Sequence, residues 1–438
     1  MASLKRHPGT RPWGRRQFIA VAAAAPFLVP RTALGANDRI TLGVIGTGGR
    51  GTAVMRGCLA VRGVQVVAVC DVQRGRRERA KAIAEQHHAH ERRSGTYKGC
   101  HATGDFRDIL AREDVDSVLI APQDHWHGVI ASHAAAAGKD IYCEKPLGVC
   151  IADCVAIRDA VRRYGRVFQT GTQQRSGRNF RFACELALNG YLGAVHTVEV
   201  AAPGPRYRRS YRGSLAPQPV PEGLDWDMFV GPSPFRAYNP GLMAWPDWYL
   251  IWDYCAGFIV NWGVHHLDIA HWGCPSFGAS PFEVVCRGTY RDDGFCDNIS
   301  GWRAEFHFAR GPRLLFSDTG HPYQQGTRFR GKEGWVHVNR SGIRAEPPSL
   351  LGVRLGGGDV RLQESSHHQA DFFAAVRSRR DPVAPVEAGH VASTLGLVAE
   401  IAARLSRPLR WDWRTERFED PEANRLLART LRAPWRLV

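Results

Sequence analysis

From Arg39 onward the chain alternates short apolar runs with longer amphipathic stretches. Arg39-Ile-Thr-Leu-Gly-Val-Ile45 is dominated by apolar and β-branched residues, the pattern of a strand buried on both faces. A helical pattern covers Thr52 to Val61, and Val64 to Cys70 reads as a second buried strand. Asp116 to Pro122 and Lys139 to Cys143 predict further strands. Ala-rich His133 to Gly138 and the stretch Ile151 to Tyr164 predict helices. This alternation predicts an α/β fold with a doubly wound parallel sheet and right-handed crossovers. Ligands of such sheets collect at the carboxyl ends of the strands.

The first predicted strand runs into Gly46-Thr47-Gly48-Gly49-Arg50-Gly51, and Asp71 closes the second strand, 20 residues after Gly51. Glycines here permit a tight turn and close backbone approach. The N-terminus of the following helix offers N–H groups to a diphosphate, and the acid takes a ribose hydroxyl. Strand, glycine turn, helix, strand and acid together predict a dinucleotide site. Asp71 favours NAD over a 2′-phosphorylated nucleotide. Arg74, Arg76 and Arg77 lie just beyond it and could pair with a 2′-phosphate, so NADP stays open.

Charge adds a second element. The chain of 438 residues carries 58 basic and 42 acidic side chains, a formal +16. Six of those cations (Lys5, Arg6, Arg11, Arg15, Arg16, Arg31) lie before residue 37 with no acid among them; without that segment the charge is +10. Arg15-Arg16-Gln17-Phe18-Ile19 is a twin-arginine pair ahead of an apolar stretch ending at Val29, too short to span a bilayer, with small residues at Ala33, Gly35 and Ala36. Residues 1–36 therefore read as a leader for twin-arginine export, the chain is expected in the periplasm or otherwise exported, and no membrane span is expected in the mature chain. The remaining Arg residues are scattered, with no basic stripe interleaved with aromatics, so nucleic-acid binding is not expected; a solvated surface with some bias toward anionic ligands is. The 11 cysteines show no Cys-x-x-Cys pair and no metal framework. No metal is expected, and the thiols are expected mostly free and buried.

Candidate chemistry sits at strand ends. Glu144-Lys145-Pro146 follows the predicted strand at Lys139 to Cys143, where the Lys145 ammonium could stabilise developing alkoxide charge. Lys is scarce, with six in the chain, so one at a ligand edge stands out. His265 and His266 lie in an apolar helical stretch, with Asn261 four residues before His265 and Asp268 three after it, on one helix face. An imidazole held in this way is a natural acid or base near neutral pH. Gln173 and Asn261, with His265 and His266, are the candidate substrate contacts. The aromatic residues from Pro240 to Tyr254 read either as a wall stacking on sugar rings or as core packing. His87, His88 and His90 read as surface, and His367-His368 as the capping or packing start of a helix.

Together these residues resemble the Gfo/Idh/MocA oxidoreductases, and in detail the exported branch with a twin-arginine leader. The match rests on the glycine turn, Asp124-His125-Trp126-His127, Glu144-Lys145-Pro146, Gly171-Thr-Gln-Gln-Arg-Ser176, Leu224-Asp-Trp-Asp-Met-Phe-Val-Gly231, Trp262-Gly-Val-His-His-Leu-Asp-Ile-Ala-His-Trp272 and Arg432-Ala-Pro-Trp435. The resemblance implies an N-terminal Rossmann domain, placed here at residues 37–165. It also implies a C-terminal α+β domain, 166–438, with a large open, mainly antiparallel sheet that mediates homo-oligomer contacts, and last helices that pack back on the first domain. It assigns Lys145 and His265 as catalytic, and Pro122 with Asp124 to His127 to the nicotinamide side of the cofactor. Gly46, Gly48, Gly49, Arg50, Gly51, Asp71, Arg76, Glu144 and, in a second role, Lys145 complete the expected cofactor shell. The implied activity is NAD(P)-dependent hydride transfer with a sugar, polyol or related hydroxylated compound, on a cofactor that stays tightly bound. Transient oxidation with net glycoside cleavage, and non-catalytic sugar binding, are the alternatives. The chain departs from the family pattern at Asn261, where many members carry Asp, and at Pro122-Gln123, where relatives often show Thr-Pro.

Overall fold

Strands β1 (Ile40–Ile45), β2 (Val64–Cys70), β3 (His101–Thr103), β4 (Ser117–Ile120), β5 (Asp140–Cys143) and β6 (Phe168–Thr170) form one parallel sheet in the order β3-β2-β1-β4-β5-β6. The structure is a computed structural model that describes residues 39–204, 211–290, 294–318 and 324–438; the expected leader lies outside the described residues. β2 and β4 are buried along their whole length, as continuous apolar strands covered on both faces require. The crossover helices include α1 (Gly49–Leu59), α2 (Arg74–His87), α3 (His127–Ala136) and α4 (Ile151–Arg163). β3, β6 and α2 carry too weak a pattern to be read from sequence: two are three-residue strands, and α2 is mostly polar, with only Ala80 and Ala84 buried. Because β6 pairs with β5, the parallel sheet runs past the boundary expected at residue 165.

After α5 (Arg178–Leu188) the chain builds the nine-stranded sheet. Its strands are β7 (Val195–Ala202), β8 (Phe282–Tyr290), β9 (Ile299–Phe308), β10 (Arg313–Asp318), β11 (Gly326–Gly331), β12 (Trp335–Asn339), β13 (Gly342–Glu346), β14 (Leu409–Asp412) and β15 (Arg417–Phe418), in the order β13-β12-β11-β7-β10-β9-β8-β14-β15. All neighbours are antiparallel except β7 and β10. Burial alternates along β8 and β9, so one face is covered and the other is wetter. Helix α6 (Gly263–Gly273) lies on β7 and β11, and α8 (Val386–Leu405) lies on β8, on α6 and on α4 of the first half. No helix among the described residues is long and apolar enough to cross a membrane.

Residues beyond the last helix touch the first half of the chain. Leu427 O accepts from the Ala152 amide at 2.8 Å, and Trp435 stands edge-on to Trp126 with ring centres 4.7 Å apart. All eleven cysteines are free and buried. His88, expected on the surface, is instead buried beside Tyr97; α2 folds its last turn under β2, and the Val66 amide donates to His88 Nε2 at 3.4 Å. His367 caps α7 (His368–Ser378), with the Ala370 amide donating to its Nδ1 at 3.1 Å, while His368 is buried.

Candidate active site

A cleft of about 1160 Å³ opens at the carboxyl ends of β1, β2, β4 and β5. Its first wall is the glycine turn, where each glycine answers a different constraint. Gly46 has φ +85°, and a Cβ there would stand 2.4 Å from the Pro122 nitrogen. A Cβ on Gly51 would stand 1.9 Å from Gly46 O, so Gly51 lets α1 seat on the turn and does not itself line the cleft. Gly49 faces open space. Helix α1 has no side-chain cap and no acid in its first turn, leaving its amides and positive end toward the cleft. Asp71 accepts from the Thr47 amide (2.8 Å) and hydroxyl (3.2 Å) and from the Gln73 amide (2.9 Å), which fixes its carboxylate beside the turn. A dinucleotide fits this end on three observations of the chain itself: the backbone is bare at Gly49, the helix end is uncapped, and a fixed acid closes the next strand. Of the neighbouring cations, Arg74 pairs with Glu222 and Arg77 donates to the Asp71 carbonyl; Arg76 lines the cleft over Gly48.

The second wall gathers Glu144, Lys145, Asp124, Asn261 and His265. Glu144 accepts from Arg50 Nε at 2.9 Å and from Gln173 Nε2 at 3.0 Å; Gln173 also donates to Tyr142 Oη at 2.7 Å. The Lys145–Pro146 peptide is cis. Lys145 Nζ donates to both oxygens of Asn261, at 2.7 Å to Oδ1 and 3.0 Å to the carbonyl. Asn261 Nδ2 in turn donates to Asp124 Oδ2 at 2.8 Å, and Cys255 Sγ donates to the same oxygen at 3.1 Å. Burial raises the Asp124 carboxyl, opposed by His127 and Lys145. Burial also lowers the Lys145 ammonium, partly offset by Asp124 and Glu144. His265 is held well below the ordinary imidazole value by burial, then by the charges of Lys145 and Arg340. It is therefore neutral at pH 7, a state in which it can accept a proton.

Several expected contacts are replaced by others. Asp268 does not orient His265: its carboxylate forms a buried pair with Arg175, Nη2 to Oδ1 at 2.7 Å. Asn261 does not share a continuous helix with His265, because a short helix Phe258–Asn261 ends before α6 begins at Gly263; its amide serves Lys145 and Asp124 instead. His125 turns away from the cleft, with Nε2 3.1 Å from Phe229 O, and burial drives its pKa down to about 4. His266 is fully enclosed, its pKa pushed down to about 3, and does not reach the cleft. The other residues of the Asp124–His127 loop do line it. His127 Nδ1 donates to Pro146 O (2.6 Å), tying this loop to the Lys145 segment, and Trp126 Nε1 donates to Met228 O (3.0 Å). Gly46, Gly48, Gly49, Arg50, Asp71, Arg76, Pro122, Glu144, Lys145, Gln173, Asn261 and His265 also line it.

Sequence reasoning did not find Arg340, which enters from the β12–β13 turn and lays its guanidinium 5.2 Å from the Trp262 ring centre. One Arg in a hairpin turn carries no local signal. Trp245, Trp248 and Tyr249 line the same side, and Trp248 stacks on Tyr249 at 3.9 Å, so this part of the aromatic segment does face the cleft.

Comparison with known proteins agrees with this architecture. A curated inositol 2-dehydrogenase from Salmonella paratyphi B is 30% identical over 178 residues, 40% of this chain and 47% of that protein. A glycosyl hydrolase family 109 protein from a Shewanella species is 28% identical over 167 residues, 37% of this chain and 35% of that protein. The chain thus matches about half or less of the length of these curated relatives. The crystal structure of an aldose-aldose oxidoreductase from Caulobacter crescentus complexed with glycerol superposes with a TM-score of 0.60 at 20% identity, covering 84% of this chain and 99% of that one, a likeness of fold. The family model for an oxidoreductase NAD-binding Rossmann fold matches residues 40–172, and the model for the oxidoreductase C-terminal alpha/beta domain matches residues 185–437. By these matches the chain belongs to the Gfo/Idh/MocA oxidoreductase family, with an NAD-binding Rossmann domain at its N-terminal end.

Proposed function

We propose that the protein is an NAD-dependent oxidoreductase acting on a CH–OH group of a sugar, polyol or related hydroxylated compound. The observation that carries this reading is the placement of His265 and an anchored Lys145 in the same cleft as the glycine turn. Bound NAD supplies the C4 position of its nicotinamide as hydride acceptor. His265 takes the hydroxyl proton as the carbinol C–H electron pair leaves, and the Lys145 ammonium hydrogen-bonds the oxygen as it gains charge. The carbinol becomes a carbonyl, and the reverse traffic reduces it. Asn261 retains the link to a carboxylate that an acid at this position would provide: it couples Lys145 to Asp124. This supports catalysis over passive sugar binding.

The twin-arginine pair at Arg15-Arg16 supports export of the folded chain with its cofactor loaded. An exported enzyme meets little free nucleotide, so the cofactor is proposed to stay bound and be recycled within each turnover. Assembly through the large sheet is proposed because Val285 and Tyr290 on β8 remain exposed; sedimentation should give more than one subunit.

The test is to purify the full chain without added nucleotide, identify the small molecule released on denaturation, and follow the reduced-nicotinamide absorbance through a sugar and polyol screen. Released NAD and an absorbance change with a keto or acid product support the reading. No absorbance change with any compound leaves sugar binding alone. A free aglycone from a glycoside supports oxidation followed by elimination, the reading to which the family 109 relative lends weight.

A further inference from the structure

Two cations of the cleft lining, Arg76 over Gly48 and Arg340, form no ion pair among the described residues. Glu144 is paired with Arg50, and Lys145 is coupled through Asn261 to Asp124. Asp71 lies at the nucleotide end, held by Thr47. Arg340 is the one beside His265: among the described residues it forms no salt bridge and donates no hydrogen bond, and it rests on the face of Trp262. That ring stands 5.7 Å from the ring of His265, and the Arg340 charge acts on that imidazole. Its side chain is exposed on the cleft lining; partial desolvation and the like charge of Arg50 disfavour the guanidinium, and Glu144 favours it. A cation stacked on an indole still presents its edge, five N–H donors in a planar fork suited to a two-oxygen anion. The cofactor does not supply that anion here, because its diphosphate belongs at the glycine turn and an oxidised nicotinamide is itself cationic.

We propose that the substrate is an acidic sugar and that Arg340 binds its oxyanion, a carboxylate or a phosphate ester, thereby turning the reacting hydroxyl toward His265. The proposal rests on the redox reading of the cleft, and the experiment separates the two. The NAD-loaded full chain is titrated calorimetrically with matched hexose, hexuronate and hexose 6-phosphate sets, with nicotinamide absorbance recorded in parallel. One acidic form should bind at least about tenfold tighter than its neutral counterpart, and the preference should shrink with salt. Whether the hexuronate or the phosphate wins identifies the oxyanion. Arg340→Gln should cut the acid-over-neutral preference by about 10–100-fold, the worth of hydrogen bonds to a charged group, and Arg340→Lys should restore part of it. Equal binding of acid and neutral sugars, no binding of any acid, an unchanged preference in Arg340→Gln, or weakened NAD binding in its place would each overturn the proposal. Acid binding that depends on Arg340 without any absorbance change keeps this inference and removes the redox reading. Oxidation of neutral polyols with no acid preference does the opposite.

Discussion

The two walls of the cleft are built in opposite ways. The nucleotide wall comes from one βαβ unit: Thr47 and Asp71, which fix each other, are 24 residues apart. The opposite wall joins Lys145 to Asn261 across 116 residues and Asn261 to Asp124 across 137, and adds Arg340 from a hairpin of the other sheet. A local wall is assembled by backbone geometry that particular residue types permit. A distant wall is assembled by packing, and its side chains acquire roles that depend on which partner arrives.

The contrast can be broken from either side. His265→Ala and Lys145→Ala should each lower turnover by about 10²–10⁴-fold while nucleotide is still retained, because they act only on the distant wall; turnover surviving both substitutions would remove these assignments. Gly51→Ala should do the reverse. The added methyl meets Gly46 O at 1.9 Å, so nucleotide retention should fail and stability drop by about 1–3 kcal/mol, read from urea midpoints. An unchanged midpoint with full retention would show that the turn relaxes more easily than its contacts imply.

Acid should act mainly through buried imidazoles. Burial lowers His125 and His368 to about 4 and His266 and His271 to about 3. Their unfolded values lie near 6.5, so below that pH the unfolded chain takes up protons that the native state refuses. Stability is therefore full above about pH 6.5 and falls toward pH 4 by about 1.4 kcal/mol per unit for each such histidine. Chemical denaturation at pH 7 and pH 5 measures this, and a flat response would mean that these rings are protonated in the folded state.

The smallest effect sharpens the comparison most. Asn261→Asp would set a second carboxylate within hydrogen-bond distance of Asp124, where like charges push one carboxyl up and add negative charge beside Lys145. The Lys145 ammonium should rise, and the basic limb of the turnover–pH profile should move to higher pH by about one unit. A profile that stays in place would mean that Lys145 does not titrate in the reaction.

Legibility in the sequence followed the same division. β1, β2, β4, β5 and α4 were readable because a strand covered on both faces must be apolar throughout, and a long amphipathic helix must show its period. β3 and β6 are three residues each, too short for any period, so the end of the parallel sheet was placed early. At the site, the glycine turn, Asp71 and the Glu144-Lys145 pair were found, because each follows a recognisable strand end. The partners of His265, Asp268 and Asn261 were misread: spacing of three or four puts side chains on one face only if the helix is continuous, and here it breaks between Asn261 and Gly263. Asp268 was lost to Arg175, a partner 93 residues away.

The amino-acid order by itself determined the cradle. Glycines at 46, 48, 49 and 51 and an acid at 71 permit one backbone path, since that path excludes any Cβ at Gly46 or Gly51, and steric exclusion is written in residue type. Only the tertiary structure decided that Asn261 carries Lys145 to Asp124, that Asp268 belongs to Arg175, and that Arg340 comes to rest on Trp262. Those are choices among many possible polar partners, and a buried polar group bonds to whichever one the packing of the apolar core brings within about 3 Å.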